Sequence, residues 1–396
     1  MTFFKTTWLA GAAAAAFGLA TVSAAHAEDA PAAPAAAAAP AGPTPLASPS
    51  MTPPLSANAD PYGFDTGFGK IWVSGQLSAL GLSQSNSIPG DKKNRFDLSN
   101  AQIEIQKIDG LFQFYVQAGA YSLPSLGTPY FKATDLPDLT YKAVPVAYIK
   151  IQPSANFNVM AGKLPTLIGA EYTFTFQNMN VARGLLWNQE PAISRGVQAN
   201  ITNGAWAVSL AVTDGYYSNR FTTGSTLVTY TVGKEDTVAF AGSVQFDKTS
   251  KSTFATAPAF NNSNIFNLIW THTSGNLEVM PYLQYIHSPK DVSVGLPTSG
   301  SSFGGAVLAK YNFTPELSVA GRAEYVTSSG GTSLLFGPKS KAMSLTVTPT
   351  WQVKTFFIRG ELSYTKLDKA AAGSGFGASG NSDTQTRAMV ETGFLF

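Results

Sequence analysis

Few side chains in this sequence could carry out chemistry. It contains no cysteine, and beyond residue 27 its histidines are His272 and His287. A hairpin predicted about Gly275-Asn276 places His272 near the turn, opposite Val279. His287 lies at the far end, opposite Asn264, and roughly eight residues at ~3.3 Å each separate the two imidazoles. Since no phosphate-binding glycine loop or carboxylate–histidine metal spacing occurs either, we predict no enzyme, no cofactor and no metal site.

Six charged residues of the C-terminal strands are predicted to face the same side of the sheet. They are Arg322, Glu324, Arg359, Glu361, Arg387 and Glu391. Folding the final hairpin so that Lys354 meets Phe396 places Arg359 opposite Glu391. In the same register Glu361 is diagonal to Arg387. We predict that these six side chains line a pore, where they either hold the wall as ion pairs or contribute to ion selectivity.

Alternation of apolar and polar residues predicts strands that would position these charges. In residues 98–121, a hairpin about Asp109-Gly110 pairs Ile103 with Val116 on an apolar face. The opposite, polar face carries three residues that we add to the predicted pore lining, namely Gln102, Glu104 and Gln117.

A second hairpin, about Asn203-Gly204, repeats this arrangement. It pairs Ile201 with Trp206 and leaves Gln198, Asn200 and Ser209 on the polar face. A soluble β-sandwich would also have one apolar and one polar face, so alternation by itself does not establish a membrane protein. The spacing of the connections and the aromatic residues decide between the two classes.

Short and long connections alternate through residues 70–396. The short ones are predicted at 109–110, 153–156, 203–204, 233–236, 275–276, 313–316 and 351–353. The long ones are predicted at about 85–95, 123–141, 164–194, 215–225, 248–263, 288–302, 328–340 and 367–383. Trp206, Trp270 and Trp351 lie near short turns, as interface aromatics do. The pattern predicts an all-β, transmembrane, antiparallel up-and-down β-barrel of 16 strands.

Composition and the N-terminus support export. Charged residues make up 13% of the chain and the formal net charge is +2, so a nucleic-acid partner is excluded. The apolar run that follows Lys5 ends at Ala25-His26-Ala27, which predicts a Sec-type signal peptide over residues 1–27. An uncleaved anchor helix is the alternative. Residues 28–69 are rich in Ala and Pro and are predicted to form a largely disordered periplasmic linker before the barrel, residues 70–396.

One segment, residues 162–196, carries a distinctive set of residues. They are Gly162, Lys163, Gly169, Glu171, Asn180, Arg183, Gly184, Leu185, Glu190, Pro191 and Gly196. In these positions the segment resembles the putative β-barrel porin family described as OmpL-like. The resemblance extends over residues 70–396 through the strand alternation and the C-terminal Phe396, and it implies a passive channel in a Gram-negative outer membrane.

The third long connection, residues 164–194, is too apolar for a loop left in water. It contains Phe174, Phe176 and Trp187, so it is expected to fold against other parts of the protein. We predict that it folds into the lumen and narrows it. The residues predicted for such a constriction are Glu171, Asn180, Arg183 and Glu190. The alternative is an external loop packed on its neighbours or on a trimer partner.

Together these patterns predict an outer-membrane porin with a water-filled channel for passive diffusion of small hydrophilic solutes or ions. Two alternatives remain, a barrel that transports hydrophobic cargo and a non-conducting anchor or adhesion barrel. The expected partners are outer-membrane lipid, small hydrophilic solutes and the barrel-assembly machinery, which would recognise Phe396. A homotrimer is left open.

Overall fold

The computed structural model describes residues 55–56, 61–254 and 257–396, which form mostly β-strands. The predicted signal peptide, residues 1–27, and most of the predicted linker, residues 28–69, lie outside the described residues. Within the linker range, a short strand forms at Tyr62–Thr66, and the first barrel strand begins at Gly69. The described part of the chain contains no helix long and apolar enough to cross a membrane.

Sixteen of the strands close into an antiparallel ring, as predicted. After β1 (Tyr62–Thr66), the ring strands are β2 (Gly69–Gln84), β3 (Asn94–Lys107), β4 (Phe112–Tyr121), β5 (Val146–Ser154), β6 (Phe157–Pro165), β7 (Ile193–Asn203), β8 (Trp206–Thr213), β9 (Thr223–Val232), β10 (Asp236–Gln245), β11 (Asn264–Ser274), β12 (Leu277–Ser288), β13 (Gly300–Asn312), β14 (Leu317–Gly330), β15 (Lys341–Val353), β16 (Phe356–Asp368) and β17 (Thr384–Leu395). Each pairs with its neighbours in sequence, and β17 pairs with β2 to close the barrel. Closure satisfies the backbone groups that an open sheet edge would leave unpaired in lipid.

The outward side chains form a lipid-facing belt. Along β15 and β16, Leu345, Val347 and Leu362 are exposed, and the residues between them in sequence are buried. Trp206 and Trp351 are also exposed and lie next to short turns, where an interface aromatic is expected. The two-residue period therefore separates a lipid face from an inner face around the ring.

The registers of two predicted hairpins are wrong by two residues. Ile103 pairs with Ala118 instead of Val116, because the first connection spans residues 108–111 instead of Asp109-Gly110 alone. In the second hairpin Ile201 pairs with Val208 instead of Trp206. Its two-residue turn is Gly204-Ala205, with Gly204 at a φ of 57°. A shift of two residues leaves every side chain on its predicted face.

Other predicted pairings are confirmed. Arg359 lies opposite Glu391, and His272 lies opposite Val279. The last short turn, however, is at residues 354–355 instead of 351–353, because β15 continues to Val353. Lys354 in this turn has a φ of 51°, a left-handed conformation that the tight turn imposes.

The two ends of the ring meet at the short-turn side. The backbone of Phe396 exchanges two hydrogen bonds with Gly75 of β2, at 2.8 and 2.9 Å. Beyond this point β1 takes over the same edge of β2, with Tyr62 opposite Val73. The N-terminal strand thus covers the part of β2 that β17 is too short to reach.

A short piece of chain before β1 also contacts this end of the barrel. Leu55 is buried in a cluster that includes Phe357 and Leu395. The backbone of Ser56 both donates to and accepts from the side-chain amide of Gln352, at 2.8 Å in each case. Residues 55 and 56 are therefore docked at the short-turn mouth.

Eight long connections lie at the other end. They are L1 (85–93), L2 (122–145), L3 (166–192), L4 (214–222), L5 (246–263), L6 (289–299), L7 (331–340) and L8 (369–383). L2 and L5 each contain a single-turn helix, α1 (Leu136–Leu139) and α2 (Pro258–Asn261). L3 is the longest, and nearly all of its residues are buried. Its contacts define the candidate site.

Candidate functional site

L3 lies inside the barrel, and most of its hydrogen bonds to the strands reach one part of the inner surface. This part, here called the anchor wall, is the inner face of β14 to β17 together with β2 and β3. Val181, Leu185 and Leu186 of L3 belong to one buried apolar cluster with Leu80 of β2 and Leu308 of β13. Apolar packing therefore holds the loop within the ring, and hydrogen bonds to buried charges fix its position.

Two glutamates of the anchor wall bind the backbone of L3. Glu361 accepts hydrogen bonds from the amides of Val181 and Ala182, at 2.5 and 3.0 Å. Glu324 accepts from the amides of Leu185 and Leu186, at 3.1 and 3.3 Å. Charge-assisted bonds of this kind are about twice as strong as neutral ones. Together they satisfy four amides of an irregular segment that belongs to none of the strands.

Two arginines of the anchor wall also bind L3. Arg322 forms an ion pair with Glu171 of the loop at 2.5 Å and donates to the carbonyl of Ala182 at 2.8 Å. Arg359 is paired with Glu391 and donates to the carbonyls of Asn178 and Thr175, at 2.9 and 3.0 Å. These arginines therefore bridge the strands and the loop.

The remaining predicted pore residues are also buried on the inner face. Arg387 donates to the carbonyls of Ser125 and Thr128 in L2, at 2.9 and 3.2 Å. Gln117 donates to Gln102 at 2.6 Å, and Glu104 accepts a long hydrogen bond from Ser74 at 3.4 Å. None of the nine predicted pore residues is more than 5% exposed. They face inward as expected, but their contacts are with protein, and a role in permeation stays a prediction.

The predicted constriction residues are at different places within L3. Glu171 pairs with Arg322, and Asn180 donates to Thr348 of β15 at 2.8 Å. The guanidinium of Arg183 lies over the ring of Trp187, 4.9 Å from its centroid, and has no hydrogen-bond partner among the described residues. All are buried, so L3 does not present them as a ring of exposed charges.

Glu190 is the fourth predicted constriction residue and is the most isolated. Among the described residues neither carboxylate oxygen has a hydrogen-bond partner. Burial, and then the negative charges of Glu171 and Glu324, raise the pKa of Glu190 well above its ordinary value of 4.5. Glu190 is therefore a group whose ionisation would disturb the packed loop.

Two glycines of L3 allow close approaches to acidic side chains. A Cβ on Gly184 would lie 2.1 Å from Oε1 of Glu324, and one on Gly169 would lie 1.8 Å from Oε2 of Glu190. Gly169 also has a φ of 88°, which disfavours any other residue. The glycines in the distinctive segment thus have a packing function in L3.

Opposite the anchor wall, L3 leaves space inside the ring. This side, here called the open wall, is the inner face of β5 to β13. It borders a cavity of ≈ 640 Å³ whose other side is formed by L3 residues such as Met179. Uncharged polar residues of the open wall in this lining are Asn158, Gln198, Asn200, Ser209, Thr229, Thr237 and Thr271. Apolar ones include Met160, Leu227, Ile269, Met280 and Leu308.

Three charged residues of the open wall line this cavity, and the sequence analysis missed all of them. They are Lys150, Glu278 and Lys310. Each is half-buried, in contrast to the anchor-wall charges. Their inward parity could have been derived from the alternation of β5, β12 and β13, but only the parity of the clearest hairpins was used. No group of acidic and histidine side chains suited to a metal ion occurs among the described residues.

The two histidines are separate, as the sequence indicated. His272 Nδ1 lies 2.9 Å from Asp236 Oδ1, and His287 Nδ1 lies 2.8 Å from Ser301 Oγ. They lie towards opposite ends of β11 and β12, which pair with each other.

Comparison with known proteins agrees with this architecture. A family model described as "Putative beta-barrel porin-2, OmpL-like" matches residues 70–396. No match is found among curated proteins.

Several solved structures have a similar fold. OmpT of Vibrio cholerae aligns with a TM-score of 0.57 and 11% identity, covering 85% of this chain and all of that one. The anion-selective porin from Comamonas acidovorans aligns with a TM-score of 0.57 and 12% identity, covering 82% of this chain and 99% of that one. The outer membrane channel DcaP of Acinetobacter baumannii aligns with a TM-score of 0.56 and 10% identity, covering 84% of this chain and 99% of that one. At such identities the likeness concerns the fold alone.

Proposed function

Because this chain belongs to the OmpL-like putative β-barrel porin-2 family and is a porin channel of the bacterial outer membrane, we propose that small hydrophilic solutes cross it by passive diffusion along the open wall. The observation that carries this proposal is the asymmetric seating of L3. The loop binds mainly to the anchor wall, with further hydrogen bonds to Asn267, Gln284 and Ser302 towards the long-loop ends of β11 to β13. It leaves a cavity of ≈ 640 Å³ beside the rest of the open wall. Half-buried amide and hydroxyl groups on that side can exchange hydrogen bonds with a passing solute or its water.

The alternative functions fit this lining less well. A non-conducting anchor would be expected to fill its lumen with bulky apolar groups on every side. A catalytic function would need converging reactive groups, whereas His272 and His287 each bind a different partner. We therefore propose a channel without enzymatic activity.

Planar-bilayer recording tests the path directly. Purified protein should give stepwise conductance, and Thr229→Trp should lower each step because Thr229 lines the cavity. The matched control is Val228→Trp, since the neighbouring residue points to the opposite face of β9. Absence of any conductance from folded protein would refute the channel. Equal conductance in the wild type and both variants would refute the path along the open wall.

We also propose that the signal peptide is removed after Ala27 during Sec export. The support is the small-residue motif Ala25-His26-Ala27, which is followed by Glu28 and Asp29. Intact-mass measurement of protein taken from the outer membrane should give a chain that begins at Glu28. A mass that retains residues 1–27 would contradict this.

A further inference from the structure

We propose that the cavity beside the open wall binds small monocarboxylates with an apolar, single-ring body, and that Lys150 binds the carboxylate. This inference rests on the proposed channel function, since the cavity is part of the path. It specifies a class of solute that the channel retains for longer than others during passage.

The charged residues that line the cavity favour an anionic ligand. Glu278 and Lys310 lie directly opposite each other on β12 and β13, so their charges offset one another. Glu171, which also lines the cavity, is paired with Arg322. Lys150 is different, because it has no hydrogen-bond or ion-pair partner among the described residues. The cavity therefore has one cation without a counter-ion.

The neighbours of Lys150 keep it available. Across β4 it faces Gln113, whose side-chain amide is bonded to the carbonyl of Gly110 at 3.0 Å. Across β6 it faces Met160, a thioether that cannot neutralise a cation. A half-buried ammonium group between an occupied amide and an apolar side chain gains more from an anion than a fully hydrated one would.

The rest of the lining favours an apolar body on that anion. Met160 is next to Lys150, and Met179, Leu227, Ile269 and Met280 also line the cavity. Methionine side chains are flexible and make favourable contacts with aromatic rings. The volume of ≈ 640 Å³ falls within the range of known small-molecule sites, which is about 300–1,000 Å³. A ring-sized carboxylate fits the charge, the lining and the size together.

The first test uses single-channel recording of the full-length protein with three probes of similar size or charge. Benzoate should interrupt the KCl current at lower concentration than benzyl alcohol, which has the ring without the charge. Benzoate should also interrupt the current at lower concentration than acetate, which has the charge without the ring. Equal potency of benzoate and benzyl alcohol would overturn the role of the charge, and equal potency of benzoate and acetate would overturn the role of the apolar lining.

Substitutions then assign the site. Lys150→Gln should raise the half-blocking benzoate concentration about tenfold, which corresponds to ~1.4 kcal/mol. Lys150→Arg keeps the charge and should stay within about threefold of the wild type. Lys341→Gln is the matched control and should change nothing, because Lys341 is a half-buried lysine of β15 that does not line the cavity. An unchanged response of Lys150→Gln would overturn the proposal.

A separate measurement distinguishes failure of this inference from failure of the channel proposal. Calorimetric titration of folded protein in detergent detects benzoate binding without conduction. Binding that depends on Lys150 in a protein without conductance would support the site and refute passive diffusion. Normal conductance with no binding of benzoate would refute the site and leave the channel proposal intact.

Discussion

The anchor wall and the open wall have the same alternation of inward and outward residues but carry different inner groups. Anchor-wall residues such as Arg322, Arg359 and Glu391 are at most 2% exposed and are bonded to protein. On the open wall Lys150 and Asn200 are half-buried and border a cavity. Strand parity thus determines that a residue faces inward, whereas the position of L3 determines whether it contacts protein or borders the cavity.

The charged residues of the two walls also differ in their contacts within the lumen. Apart from Glu104, the charged residues described on the anchor wall form ion pairs with one another or bonds to L2 and L3, so protein groups replace water around them. The charges that line the cavity on the open wall are fewer, namely Lys150, Glu278 and Lys310. Substitutions on the anchor wall should therefore change the position of L3. Substitutions on the open wall should instead change what binds in the cavity.

Deletion of L3 residues 172–188 should have the largest effect on the comparison, because it removes the segment that makes the walls unequal. The strands keep their hydrogen bonds, so the barrel should still fold. Single-channel conductance should rise by roughly twofold or more, since the covered half of the lumen becomes accessible to ions. Unchanged conductance in a folded deletion variant would mean that L3 does not limit the current.

Arg322→Ala should have the next largest effect. It leaves Glu171 and Glu324 buried near each other without their shared cation, at a cost of about 3–5 kcal/mol. Much of this cost should be relieved by release of L3, which limited proteolysis within residues 172–188 would detect. Arg220→Ala, in the exposed part of L4, is the control and should leave L3 protected. Equal protection of L3 in both variants would mean that Arg322 does not hold the loop on the anchor wall.

Glu190→Gln should change the pH dependence of loop seating. Because the pKa of Glu190 is raised on folding, its stabilising contribution is complete below the unfolded pKa of 4.5 and is lost as pH rises through the folded pKa. Glu171, Glu324, Tyr216 and Tyr282 are the other titratable groups that act on it.

Protection of L3 from proteolysis should accordingly fall in the wild type as the pH rises well above 4.5. The protection of L3 in the Glu190→Gln variant should fall less, since its side chain at position 190 cannot ionise. A fall of equal size in both proteins would assign the pH dependence to another group.

Gln352→Ala should have the smallest effect. It removes the two hydrogen bonds that hold Ser56 at the short-turn mouth, each contributing about 0.5–1.5 kcal/mol. Cleavage near residue 56 by an added protease should become faster, while L3 and the conductance steps should hardly change. A large change in conductance would show that residues 55 and 56 obstruct the pore.

Some features could be predicted from the sequence because they depend only on parity. A two-residue period places Glu104, Arg359 and Glu391 inward whatever the exact register. The terminal hairpin pairing of Arg359 with Glu391 followed from the fixed end of the chain. The two hairpin registers failed because Gly110 and Gly204 could each occupy more than one position of a turn.

The function of the inward charges could not be derived in the same way. Whether Glu361 meets water or the amides of Val181 and Ala182 depends on the path of a loop that is about 180 residues away in sequence. The apolar residues of L3 indicated that it packs on something, but not on which wall. Lys150 was missed because an unpaired lysine is recognisable only when the side chains around it are known.

The anchoring of L3 also has a consequence for the order of events during assembly. Its hydrogen bonds reach Glu361 and Glu391, across 180 and 216 residues of chain. L3 cannot take its final position until β16 and β17, which carry these partners, have joined the ring. Long loop closures of this kind are slow compared with forming neighbouring hairpins. The barrel should therefore pass through a wide, unobstructed intermediate that narrows only in its last folding step.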